Sequence, residues 1–204
     1  MADSFRDMVE TALDEGVDID SVRLSADAIE DLSAFGITVS ASEFRDCSFI
    51  QCAFERVNFA FVRFSHCDFQ SIPFNRCSFH NCEFVNCRLT GADMVDNTIR
   101  HTTFTDSMME YANLSGSKIG DSAFSGCRLT NGYLNNMNLK NVVFENCDLT
   151  RAEIINTRLS GMDFTTDTLT GILVSLDALK GACVTSLQAL ELAGLLGITI
   201  KDAQ

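Results

Sequence analysis

Large apolar side chains recur along this chain at every fifth position, without a slip over more than half of its length. Starting at Phe44, the register passes through Phe49, Phe54, Phe59, Phe64, Phe69, Phe74, Phe79, Phe84, Leu89, Met94, Ile99 and Phe104 and runs on to Leu169 and Val174. Two residues before each of these lies a second slot of small or slim side chains, among them Ser42, Cys52, Val57, Val62, Cys77, Cys82, Ala92, Ala112 and Ala152. Asn97, Asp167 and Asp177 depart from that rule. A step of five is neither the 3.6-residue period of a helix nor the two-residue period of a strand. Each unit must therefore turn a corner and bring the next one to an equivalent place, so the chain is predicted to coil.

The number of units per turn can be read from the residue types, because positions stacked in successive coils share an environment. At a spacing of 20, the centres Phe44, Phe64, Phe84, Phe104, Phe124, Phe144 and Phe164 are all phenylalanine, while the other columns are mixed. Cys47, Cys67, Cys87, Cys127 and Cys147 share one small-slot column, broken by Ser107. Both columns select four units per coil.

The ends follow other patterns. Over residues 4–15, Ser4 can cap a helix whose Phe5, Met8, Val9, Ala12 and Leu13 fall on one face, and Gly16 can end it. Residues 17–24 return to five-residue spacing. A second short helix is predicted from Ser25 to Phe35, ended by Gly36. Near the other end a helix is expected from Ser186 to Gly197, followed by a short strand over 198–200. An open coil end exposes unpaired backbone groups, so capping elements are expected at both ends.

The repeat resembles the pentapeptide-repeat family, whose Ala-(Asp/Asn)-Leu-x-x unit is visible in Gly91-Ala92-Asp93-Met94, in Ala112-Asn113-Leu114-Ser115-Gly116 and in Cys147-Asp148-Leu149-Thr150. The resemblance covers about 37–184. It implies an all-β solenoid, a right-handed four-sided parallel β-helix with short α-helical caps. The expected organisation is a helical N-terminal cap over 1–36, the β-helix over 37–184 and a C-terminal capping helix and strand over 185–204. At about 4.8 Å per coil, seven coils would make a rod roughly 30 Å long.

Composition sharpens this picture. The skew toward 16 phenylalanines against no tryptophan and two tyrosines is explained by the centre slot, and eight of the nine cysteines lie in the small slot. Buried, neutral thiols are expected there, not a disulfide framework or a metal site. No apolar run is long enough to span a membrane and the first residues lack a signal peptide, so the expected location is cytoplasmic. The net charge is −13, which argues against direct binding of nucleic acid or an anionic membrane. Residues 1–40 hold ten acidic and two basic side chains, whereas 41–175 hold 15 and 11. The acidity is concentrated at the start, and the coil is nearly balanced.

Catalytic chemistry is sparse. There is no glycine-rich phosphate loop, nucleophile elbow or Walker-type lysine. Folding the repeat places His101 and Asp121 in one outward column with His80 diagonal to them, a constellation read as solvated surface, with no metal or cofactor expected. Alternating charges such as Glu43, Arg63 and Glu83, or Asp68, Arg88, Met108, Arg128 and Asp148, are read as cross-strand pairs. Outward apolar residues are more informative. Met108, Tyr111 and Tyr133 form the candidate partner-binding patch, with the two tyrosines expected side by side. A second patch, Phe61 with Ile50, is expected to be covered by the N-terminal helix. Leu190, Leu195 and Leu196 exceed what capping a narrow coil requires, and are the candidate homodimer interface.

The expected function is that of a non-enzymatic protein-binding module whose protein partner is unassigned. The family resemblance implies an alternative, a DNA-mimicking binder of DNA gyrase or topoisomerase IV that counters quinolones or topoisomerase toxins and dimerises through its C-terminal helix.

Overall fold

The computed structural model describes residues 4–198 and residue 201. From Ile19 to Val174 the chain winds through short parallel strands, most of two or three residues, with two that run around a corner for eight, Lys118–Ser125 and Asn138–Glu145. Each strand pairs with the segment 20 residues away. Arg63 lies between Glu43 and Glu83, Phe64 between Phe44 and Phe84, and Ile119 between Ile99 and Leu139. Four five-residue units therefore make one turn, and the solenoid has about eight turns.

The centre residues fill the interior as ladders. Phe44, Phe64, Phe84, Phe104, Phe124 and Phe144 stack at 4.7–5.2 Å between successive ring centroids, and Phe164 follows at 6.1 Å. Between Phe49 and Phe84 the other columns are phenylalanine as well, and rings on neighbouring faces meet edge to face. Offset stacking and edge contacts are the arrangements that aromatic quadrupoles favour.

Turning four corners per coil requires backbone that L-residues seldom adopt. At corner positions from Ser21 to Asn156, non-glycine residues hold φ between 46° and 59°, and Asn and Asp recur among them, the types whose short polar side chains tolerate this region best. The coil offsets the cost by giving each corner amide a partner in the next turn. The Asp46 N–H donates to the Ser65 carbonyl at 2.9 Å, and the Asn86 N–H to the Thr105 carbonyl at 2.9 Å.

The small slot follows a hydrogen-bond rule as well as a size rule. On tightly turned corners its N–H is satisfied locally: Ala92 donates to the Leu89 carbonyl, Ala112 to that of Met109 and Ala152 to that of Leu149. Alanine suffices there. On flatter corners the N–H reaches the small-slot side chain one coil on. Cys82 donates to Thr102 Oγ1, Cys87 to Ser107 Oγ, Cys77 to Asn97 Oδ1 and Cys147 to Asp167 Oδ1. Asn97, Thr102, Ser107 and Asp167 thus supply the acceptor that a buried donor needs, whereas Val57 and Val62, in two of the same columns, offer none. The thiols also donate, as from Cys67 Sγ to the Phe44 carbonyl and from Cys127 Sγ to the Phe104 carbonyl.

At the N-terminal end the expected helix is present as α1, Phe5–Glu15. Ser4 and Asp7 close a capping box, and Gly16 ends the helix at φ 68°. Phe5, Val9 and Ala12 are buried, and the Phe5 ring meets Phe44 edge-on at 5.1 Å. The second predicted helix is absent. Residues 25–35 instead form strands Ala28–Glu30 and Ser33–Phe35, and the coil begins at Ile19, not at 37. Ile29 pairs with Phe49 and Ala34 with Phe54, so the backbone ladder of the next coil overrides the helical apolar spacing. Phe35 consequently faces outward, with the Arg56 guanidinium 5.6 Å over its ring.

The C-terminal end is closed by α2, Ser186–Ala193, and a 3-10 turn, Gly194–Leu196. The helix is fastened by Gln188, with Leu192 packed against the core, and not by Leu187 or Leu190, which are exposed. Gln188 Nε2 donates to the Phe164 and Asp167 carbonyls at 2.7 Å each, while its Oε1 accepts the Thr185 N–H. Ile198 belongs to no element, and the rest of the strand expected there, residues 199 and 200, lies outside the described residues.

Candidate partner-binding surfaces

The candidate patch is built from residues at fixed outward stations. Met108 pairs along the coil with Arg88 and Arg128, and Tyr133 with Asn113 and Glu153. Tyr111 sits at a corner, two residues before Asn113, so Tyr111 and Tyr133 stand on successive coils beside the same edge. All three side chains are exposed, Tyr111 at 57%. Around them, Glu110 accepts from Thr90 Oγ1 and pairs with Arg128 at 3.2 Å, and Asn135 donates to Glu153 at 2.9 Å. The three exposed side chains thus stand among fixed polar groups, with Met108 between two arginines. The predicted pairing of Arg128 with Asp148 is replaced by Arg128 with Glu110, while the Asp148 carboxylate accepts the Thr150 N–H. Arg63–Glu83 and Arg88–Asp68 pair as the alternating columns suggested.

Phe61 and Ile50 do not form the covered patch expected of them. Both are exposed. Ile50 follows Phe49 and Phe61 follows Phe59, two units apart in a four-unit coil, which puts them on opposite sides. Helix α1 cannot reach either, since Phe5, Val9 and Ala12 are engaged in closing the end of the coil. Phe61 instead meets His80 at 6.1 Å, and His80 meets His101 at 5.5 Å.

The His80, His101 and Asp121 constellation is not arranged as ligands. His80 Nδ1 is hydrogen-bonded to the Asn81 amide at 2.9 Å, and the Asp121 carboxylate accepts from Asn141 Nδ2 at 2.8 Å. Among the described residues no group of three or more His, Cys, Asp or Glu side chains could hold a metal ion, and no helix is long and apolar enough to cross a membrane.

The cysteines of the small slot, including Cys47, Cys67, Cys87, Cys127 and Cys147, are all free and buried, whereas Cys183 is exposed. Burial pushes the Cys77 thiol up to about 12 and the Cys82 thiol up to about 11. At the far end Leu190, Leu195 and Leu196 are exposed, together with Leu173, Leu176, Leu187 and Ile198. The role of Gln188 was not foreseen in the sequence; its place three residues after Thr185, completing a capping box, is the signal that points to it.

A family profile described as a pentapeptide repeat region matches residues 57–125 and 77–154. No curated protein matches the chain in sequence. Among solved structures, a trypsin-treated variant of QnrB1, a plasmid-mediated fluoroquinolone resistance protein, is 16% identical with a TM-score of 0.48, covering 91% of this chain and 100% of its own. HetL, a pentapeptide repeat protein involved in heterocyst differentiation regulation from the cyanobacterium Nostoc, is 14% identical with a TM-score of 0.38, covering 87% of this chain and 93% of its own. The profile match, the unbroken five-residue register and the 20-residue coil together place the chain in the pentapeptide-repeat protein family.

Proposed function

We propose that the protein is a non-enzymatic docking module, a rigid coil that presents Met108, Tyr111 and Tyr133 to a protein partner. The observation that supports this best is Tyr111. It is a bulky aromatic held at φ 59°, where glycine or asparagine costs less, and its ring is left in water. Neither packing nor backbone geometry calls for tyrosine at that corner. Tyrosine, methionine and arginine are the side chains enriched in interface centres, and here they stand on a scaffold that loses little freedom on binding. A homodimer through Leu190, Leu195 and Leu196, in the cytoplasm, belongs to the same reading. Binding to gyrase or topoisomerase IV as a duplex mimic ranks second: the net charge of −13 favours it, and the near balance of charge along the coil opposes it.

The test is capture of a partner from host lysate by the intact protein and by a Tyr111→Ser, Tyr133→Ser double variant with an unchanged unfolding midpoint. A partner held by the wild type and lost by the variant is expected. Undiminished capture by the variant would remove the patch from the reading, and protection of gyrase from a quinolone would put the duplex-mimic reading first.

A further inference from the structure

Charge is not spread evenly around the coil. On the face built on Phe79, Ile99, Ile119 and Leu139, the outward positions from 78 to 140 hold His80, Arg100, Lys118 and Lys140 and no carboxylate. Backbone pairing sets Arg100 and Lys140 on either side of Gly120, with Lys118 beside them between Thr98 and Asn138. Since Gly120 has no side chain, a depression of about 210 Å³ opens between the cations, lined by Arg100, Lys118, Gly120, Asp121, Asn138 and Lys140.

Two observations mark this depression as a site. Five ion pairs form among the described residues, and none uses Arg100, Lys118 or Lys140; elsewhere on the coil Arg63, Arg76, Arg88 and Arg128 each meet a carboxylate and Arg23, Arg56, Arg151 and Arg158 do not, but here three such cations line one depression. Gly120 is also not required by the backbone, because a Cβ there would meet nothing closer than the Lys140 carbonyl at 3.8 Å. What glycine provides is the open floor. The one carboxylate on the rim, Asp121, is held ionised by the Asn141 amide first and by His101, Lys140 and Arg100 after it.

We propose that this depression binds a phosphoryl group, with the Arg100 guanidinium as the two-pronged donor and Lys118 and Lys140 as point charges. Three cations against one carboxylate leave two positive charges, which a phosphomonoester of charge about −1.5 to −2 neutralises and a single carboxylate does not. The inference goes beyond the docking patch and stands without it. The phosphoryl group comes either from a small phosphorylated molecule or from a phosphorylated side chain of a protein.

The intact protein is titrated with inorganic phosphate, with a phosphoserine peptide and with acetate, followed by amide chemical shifts. Saturable shifts confined to residues around 100, 120 and 140 are expected with the phosphate-bearing probes, and tighter binding of the peptide than of inorganic phosphate assigns the protein source, the reverse the small-molecule source. Gly120→Leu, which fills the floor without straining the backbone, and Arg100→Ser, the residue type the same column carries at Ser40, should each weaken binding by about tenfold or more. Asp121→Asn should strengthen it. An unchanged unfolding midpoint for Arg100→Ser separates loss of the site from loss of the fold. No saturation with either phosphate probe, wild-type binding by both Gly120→Leu and Arg100→Ser, or acetate binding as tightly as phosphate overturns the proposal.

Discussion

The rings of Phe104 and Phe124 lie 4.7 Å apart with their planes 2° from parallel, one full coil between them. Phe84 stacks on the other side of Phe104 at 4.7 Å, so Phe104 has a ring above it and a ring below. Phe104→Ala leaves a cavity that the ladder cannot close, because its neighbours are fixed by backbone pairing. A loss of about 3–5 kcal/mol is expected in reversible denaturant unfolding; a loss under about 1 kcal/mol would contradict the ladder.

The small slot separates two kinds of site by chemistry. Asn97 Oδ1 accepts the buried Cys77 N–H at 2.7 Å, and Asn97→Ala orphans that donor at a cost of about 1–3 kcal/mol. Asn97→Ser should recover part of it, since Ser107 and Ser122 fill the same role for Cys87 and Thr102. Ala112→Gly tests the contrasting corner, where the Ala92 N–H is already held by Leu89. If both alanine-slot and acceptor-slot substitutions scale with volume alone, the hydrogen-bond rule fails.

Thiol chemistry should divide the cysteines eight to one. The eight buried thiols offer no path for a reagent, and burial pushes Cys77 and Cys82 up to about 12 and 11, so these two present almost no thiolate at neutral pH. Cys183 is exposed and should react alone in the native protein. Mass spectrometry after a thiol-reactive label, with and without denaturant, checks this. Native labelling of Cys47, Cys67 or Cys87 at the rate of Cys183 would show that the column is open.

Asp167 gives a pH dependence with a definite sign. Burial first, then Asp163 and Glu145, raise its carboxyl above the ordinary carboxylate range, and its Oδ2 is buried without a partner. A carboxyl raised in the fold contributes stability that is full below its unfolded value of about 3.9 and is lost as pH rises through the folded value. Asp167→Asn keeps the oxygen that accepts the Cys147 N–H. The variant should therefore be more stable than wild type at neutral pH, with the difference shrinking in acid. Equal or lower stability of the variant at pH 7 contradicts this origin.

Dimerisation is tested at α2. Gln188 fastens the helix to the last coil through the Phe164 and Asp167 carbonyls, which leaves Leu190, Leu195 and Leu196 exposed. A two-fold contact across these leucines would bury them. Sedimentation should show a dimer at micromolar concentration that is lost in a Leu190→Ser, Leu196→Ser variant. A wild-type monomer at that concentration ends the idea.

The sequence by itself determined the coil from Phe44 to Val174. The five-residue step permits neither helix nor simple strand, and the all-phenylalanine column at a spacing of 20 sets four units per turn. It also placed α1, with its capping residue Ser4, and the start of α2 near Ser186, whose apolar spacings are local signals. It misjudged residues 25–35, where Asp27 occupies a small slot and Ala34 a centre slot. There the five-residue signal is weak and helical spacing looks better. Only pairing with Phe49 and Phe54, 20 residues on, makes this segment the first turn of the coil. The same limit applies to the surface. Arg100, Gly120 and Lys140 carry no signal singly in the chain and become one depression only when successive coils lie side by side. Local patterns record what one unit must bury, whereas a backbone ladder, an end cap locked by Gln188 and a charged face are made by residues a full turn apart, and only the folded coil brings these together.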